Sequence, residues 1–200
     1  MTRQTMRVNL LSSLLLVGAT LTTPLAAQVV PAAESRTLHL NVAATYSPAR
    51  FNELQGNSFW VQGGSIQVQA RLGDHMGVVA DARGLHTSDI NSSGAGLDMI
   101  TVTAGPRYTF SIKQDKVSLF VQGLAGKAMA FNGLFPHSSA FVTSANSLAL
   151  LGGGGAEMTL SRRVVLRPFE ANWLYTQLPN GTNNVQGVLL LGAGITYWFR

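Results

Sequence analysis

The chain contains no cysteine. That excludes a disulfide scaffold and a thiolate metal site. Charge is scarce as well. Asp, Glu, Lys and Arg make up 12% of the 200 residues, about half the roughly 25% usual in soluble domains. The formal charge of +5 does not point to nucleic acid, because the basic residues are scattered and form no Lys/Arg run with interleaved aromatics. Long apolar runs are missing too. Past the amino-terminal segment, no stretch approaches the ~18 apolar residues of a membrane-spanning helix. An apolar composition without such helices leaves two classes, a deeply buried soluble β-protein or a membrane barrel.

What is present begins with a leader. Arg3 and Arg7 form a basic start, residues 10–21 an apolar segment, and Leu25, Ala26 and Ala27 a small-residue end before Gln28. This order is that of a secretory signal peptide. The expected organisation is a signal peptide over 1–27, a linker over 28–36 and one domain over 37–200.

Within that domain apolar and polar residues alternate. Leu38, Leu40, Val42, Ala44 and Tyr46 alternate with His39, Asn41, Ala43, Thr45 and Ser47. Ile66, Val68, Ala70 and Leu72 oppose Gln67, Gln69 and Arg71. Val78, Ala80 and Ala82 oppose Val79, Asp81 and Arg83. Ile100, Val102, Ala104, Pro106, Tyr108 and Phe110 oppose Thr101, Thr103, Gly105, Arg107 and Thr109. Period-two spacing of this kind is the pattern of β-strands with two unlike faces. Further strands are expected over 117–130, 147–160, 164–177 and 187–200. Near Pro168 the phase slips, and a bulge there would turn Arg167, Glu170 and Asn172 to one face, Phe169, Ala171, Trp173 and Tyr175 to the other.

The connections alternate in length. Long ones are expected over 48–57, 87–97, 132–146 and 178–184, and tight turns at 73–75, 111–116 and 161–163. Eight antiparallel strands with short turns at one end and long loops at the other describe an up-and-down transmembrane β-barrel. An even strand count places both termini at the short-turn end, which is periplasmic in an outer membrane.

Alternation alone does not say which face is wet, and a lipocalin-like soluble barrel would turn the apolar set inward. The polar set carries too few charges for a water-facing exterior, and aromatics recur near strand ends, as girdles at two interfaces would require. The polar set is therefore expected inside. It offers Arg71, Asp81, Arg83, Arg107, Glu157, Arg167 and Glu170, of both signs, which must pair if enclosed.

The closing strand reads GVLLLGAGITYWFR. Gly194, Tyr197 and Phe199 match the carboxyl-terminal sorting pattern of outer-membrane proteins; Gly192 departs at its polar position, and Arg200 follows the usual terminal Phe. The mature chain resembles the small outer-membrane β-barrel family of the OmpA/OmpX type and its porin-family relatives. Layout carries the resemblance throughout, and motif content carries it over 152–199. The resemblance implies a monomer integral to a Gram-negative outer membrane. It would contact lipid and lipopolysaccharide and enter through the barrel-assembly machinery, which reads the closing strand. It implies no single activity. A structural or surface-interaction role with a plugged lumen is expected, and a narrow channel is the alternative.

Other chemistry has weak support. Gly152–Gly155 is followed by no Gly-Lys-Ser/Thr and no helix pattern, so phosphate cradling is not expected. His39, His75, His86 and His137 lack metal-ligand spacing. His137, Ser138, Ser139 and Glu157 could form a lipid hydrolase triad only if a loop held them rigidly. No cofactor, metal or catalytic residue is expected.

Overall fold

In the computed structural model, residues 39–199 are described apart from 53–57, 89, 91–95, 113–115, 138–139 and 181–182. The expected signal peptide and linker lie outside the described residues. The strands are β1 (His39–Tyr46), β2 (Ala49–Asn52), β3 (Ser58–Arg71), β4 (Met76–Thr87), β5 (Leu97–Ile112), β6 (Val117–His137), β7 (Ala140–Thr159), β8 (Val164–Thr176) and β9 (Gln186–Phe199).

All pairings are antiparallel, and they form a ring. β3 to β9 pair in chain order, and β9 returns to β1 and β2, which also pair with β3. β1 and β2 are one stave interrupted at Ser47–Pro48, with the same register to both neighbours on either side of the break. Pro48 has no N–H for the ladder. Its carbonyl still accepts Leu191 N at 3.1 Å, and Ser47 N donates to Gly63 O at 2.8 Å. Counted as staves, the barrel has the eight that alternation called for, closed by β9 against β1.

The faces are inverted relative to a soluble barrel. On β5, Val102 is 51% exposed, while Thr101 and Thr103 beside it are 0% and 2%. Outside lie Ile66 and Val68 of β3, Val78 of β4, Tyr108 and Phe110 of β5, and Ile195, Tyr197 and Phe199 of β9. Inside lie Gln67, Gln69, Asp81, Arg83, Arg107, Thr109 and Thr196. Monomeric soluble proteins rarely leave contiguous apolar surface of more than a few hundred Å² in water. Against hydrocarbon the same belt is favourable, and a closed ladder satisfies the backbone groups that lipid cannot.

β8 contains the expected irregularity. Arg167 pairs with Gly194 and Glu170 with Gly192, so β8 spends one extra residue against β9. Arg167, Glu170 and Asn172 all point inward and are buried, whereas Phe169 and Trp173 point out.

Two expected loops prove to be partly strand. β2 occupies 49–52 of the segment read as 48–57. The segment 132–146 is a hairpin, with β6 and β7 pairing as far as His137 and Ala140. Asn132, Gly133 and Pro136 suggest a loop by composition. Cross-strand bonding overrides that preference, and the chain absorbs it in a register shift between Phe131 and Phe135, where Asn132 has φ 57°.

Candidate functional site

Most of the charged groups of the described residues that pair do so in the lumen, which is stratified. Its lower layer, toward the short turns, is ionic. Arg167 on β8 reaches Glu157 Oε1 with Nη2 at 2.7 Å and Glu170 Oε2 with Nη1 at 2.5 Å. Arg83 on β4 lies 3.4 Å from Asp81 and 3.5 Å from Glu170, and donates to Ser47 Oγ at 2.9 Å. Arg107 on β5 has amide partners: it donates to Gln67 at 2.6 Å, Gln69 at 3.1 Å and Gln122 at 2.5 Å. Three cations and three carboxylates thus share one buried layer.

Gln67 sits at its centre. Its Oε1 accepts from both Arg107, at 2.6 Å, and Arg167, at 2.7 Å, while its Nε2 donates to Asp81 at 2.9 Å. A single neutral amide therefore shows its oxygen to the cations and its nitrogen to an anion. Gln122 donates to Asn172, which donates to Glu170, extending the chain of bonds around the barrel. Phe120 supplies the other support. The guanidinium carbons of Arg107 and Arg167 lie 4.3 and 4.7 Å from its ring centroid, a contact worth ~2 kcal/mol when desolvated.

The glycine run on β7 makes room for this layer. A Cβ on Gly155 would come within 2.5 Å of the Phe169 carbonyl oxygen and 2.9 Å of Phe120 Cζ. Gly152 faces outward, where a Cβ would meet nothing within 4 Å. The run is thus strand throughout.

Six of the seven expected lumen charges meet in this layer. Arg71 does not. It is the last residue of β3, at the mouth beside the 72–75 turn, and its guanidinium lies 4.9 Å from the Trp198 ring. At that height the lumen opens to solvent, and an indole face holds the cation in place of a carboxylate.

The upper layer, toward the long connections, is apolar, and alternation did not announce it. Phe51 and Phe59 stack at 5.1 Å. With Leu85, Met99, Leu151, Leu174, Leu178 and Leu190 they form a continuous cluster whose members are all 8% exposed or less. Here both strand faces are apolar: Leu190 points in and Leu189 out, Leu174 in and Trp173 out.

At the closing strand, Gly194 pairs with Thr45 of β1 and with Arg167 at the bulge. A Cβ there would collide with the Ala44 carbonyl oxygen. Tyr197 and Phe199 face out, edge to face at 5.2 Å. The hydrolase arrangement is not assembled. Ser138 and Ser139 lie outside the described residues, and Glu157 is bonded to Arg167 in the lumen. Ala140, the ladder partner of His137, is seventeen residues from Glu157 along β7, or about 55 Å of strand. Among the described residues no group of three or more His, Asp or Glu could hold a metal.

No protein-family model and no curated protein matches the chain. Solved structures do match it. Neisserial surface protein A, NspA, aligns with a TM-score of 0.62 at 19% identity, covering 80% of this chain and 97% of that one. Ail, the attachment invasion locus protein of Yersinia pestis, crystallised with the heparin analogue sucrose octasulfate, aligns at 0.53 and 23% identity, covering 81% and 99%. The outer membrane protein OprG of Pseudomonas aeruginosa aligns at 0.50 and 11% identity, covering 82% and 96%. The fold is that of the small outer-membrane β-barrels.

Proposed function

We propose that the chain is an integral outer-membrane barrel, closed to solutes, that displays its long connections at the cell surface and keeps both termini in the periplasm. The membrane part of this reading rests on the inverted faces. Lipid and lipopolysaccharide surround the apolar belt, and the assembly machinery engages β9. β6 and β7, of 21 and 20 residues, are the longest described strands, and their hairpin is one of these surface elements. NspA is named as a surface protein and Ail as an attachment protein, which fits a role in surface interaction.

The observation that carries the closed-lumen part is the stack of two layers. Water or a small solute entering from the long-connection end meets the Phe51–Phe59 layer first. Beneath it, Arg83, Arg107 and Arg167 have bonded partners and are at most 1% exposed. Opening a path would require unpairing charges in a low-dielectric interior, at several kcal/mol for each ion. A narrow channel needs a continuous polar route, and the apolar layer interrupts it.

Fractionation tests the membrane reading. The folded protein should remain in the outer-membrane fraction through carbonate washing and migrate faster on a gel before boiling than after. A detergent-independent soluble monomer would overturn it.

A further inference from the structure

The lipid face of the barrel is not evenly clad. Gly123 of β6 and Gly152 of β7 are ladder partners, and both point outward. With Ala104 and Ala125 they form the floor of a groove of about 500 Å³, walled by Leu150 and Trp173. Neither glycine is required by the fold. A Cβ at Gly123 or at Gly152 would meet nothing within 4 Å, whereas one at Gly105, Gly126 or Gly154 would strike backbone. The groove is thus a place where side chains would fit and none is present.

Directly up-strand of the groove stands a cation. Lys127 is two residues beyond Ala125 on the same outward face of β6, opposite Val102 of β5 and Leu148 of β7. Those flanking side chains are apolar and exposed. A lysine on the lipid face costs about 2–4 kcal/mol at the bilayer midplane and close to nothing at the interface. The next outward position on β7, Asn146, is polar. On β5 the next outward position, Ile100, is still apolar and exposed, so Lys127 stands in the upper part of the lipid face and its ammonium snorkels to the headgroup level at the long-connection end, with the groove running from it toward the bilayer interior.

From this placement we infer that the groove is a binding site for one anionic lipid of the outer leaflet. An acyl chain lies over Gly123 and Gly152 against Trp173, and the lipid phosphate pairs with Lys127. The ammonium supplies charge complementarity, and the glycines supply depth for a methylene chain. The inference rests on the membrane reading above, since a groove facing water would seat no lipid.

Native mass spectrometry in detergent, with diphosphoryl lipid A as the probe, tests it. The folded protein should retain one lipid A and should retain a neutral diacylglycerol roughly ten-fold less. Gly123→Leu with Gly152→Leu should fill the groove and lower lipid A retention roughly ten-fold. Lys127→Gln should lower lipid A retention and leave the diacylglycerol unchanged. Val68→Leu, on the lipid face of β3 away from the groove, should leave both unchanged. Folding of every variant is checked by the heat-dependent gel shift. Equal lipid A retention in all folded variants would overturn the site. So would a two-chain mass that the leucine pair abolishes, because it would assign the groove to a second copy. If no variant, nor the parent, folds in detergent, the membrane reading itself fails.

Discussion

Arg167 and Glu170 are three residues apart on one strand, yet Arg167 Nη1 lies 2.5 Å from Glu170 Oε2 inside the barrel. Regular alternation would put them on opposite faces. The bulge at Pro168 removes that conflict and brings a cation and an anion of β8 into the same layer. Arg167 also holds Glu157. Arg167→Met should therefore leave two carboxylates short of their cation and destabilise the barrel by about 3–5 kcal/mol. Urea titration of the protein in lipid vesicles would measure this, and Arg167→Met with Glu157→Gln and Glu170→Gln should recover much of the loss. A single variant as stable as the parent would show that the ionic layer contributes nothing.

Gln67 should matter more than an uncharged side chain ordinarily does. It accepts from two arginines and donates to Asp81. Gln67→Leu should cost about 3 kcal/mol, because hydrogen bonds to charged groups are worth ~1.5–3 kcal/mol each and are not additive. Asn41→Leu, removing a single bond to Gln69, should cost less. The same unfolding titration decides, and the reverse order would remove Gln67 from the centre of the network.

The glycines of β7 should divide by face. Gly155→Ala drives a methyl into the Phe169 carbonyl oxygen and against the Phe120 ring and should destabilise by about 1–3 kcal/mol. Gly152→Ala, on the open lipid face, should be neutral or mildly stabilising. Equal losses at both would mean that the division between inward and outward glycines does not hold.

The rim at the long connections should respond to acid. Beyond the apolar belt, His86 Nδ1 lies 2.5 Å from Asp98 Oδ1, and Asn132 donates to Asp98 Oδ2, tying β4, β5 and β6 together. The His86 bond first, and then the Asn132 bond, hold the Asp98 carboxyl below its ordinary range. A carboxylate lowered in the folded state adds stability above its unfolded pKa and loses it as pH falls through the folded value. The rim should stay clipped at neutral pH and loosen only in acid below the usual carboxylate range. Protection factors of the Thr87 and Leu97 amides, relative to the intrinsic exchange rate at each pH, should fall there in the parent. In Asp98→Asn they should already be low at neutral pH. Identical profiles would remove the clip.

Much of this architecture is legible in the residues themselves. Ile66 to Leu72, Val78 to Arg83 and Ile100 to Phe110 alternate cleanly, because one face meets lipid and the other a polar lumen. The slip between Arg167 and Glu170 reads as a bulge for the same reason. Legibility fails where that contrast vanishes. Along Leu148 to Leu151 and Val188 to Leu191 both faces are apolar, one toward lipid and one toward the upper lumen, so alternation carries no signal for the sealing layer. It fails again in the β6–β7 hairpin, where partner bonding outweighs the turn-forming residues. In the ionic layer the charges could be named from their phase. The hub could not, since nothing in an isolated Gln67 says that two arginines from other strands will share its oxygen. Arg71 has the right phase and the wrong height, and phase alone does not report height.

Planar-bilayer recording of the purified, folded protein tests the sealed lumen most directly. The two-layer interior predicts a flat baseline under applied voltage, with no reproducible conductance steps in the parent protein. Stable, unitary openings of the parent would contradict it, because ions could then cross only through a route that the Phe51–Phe59 layer and the Arg167–Glu170 layer together close.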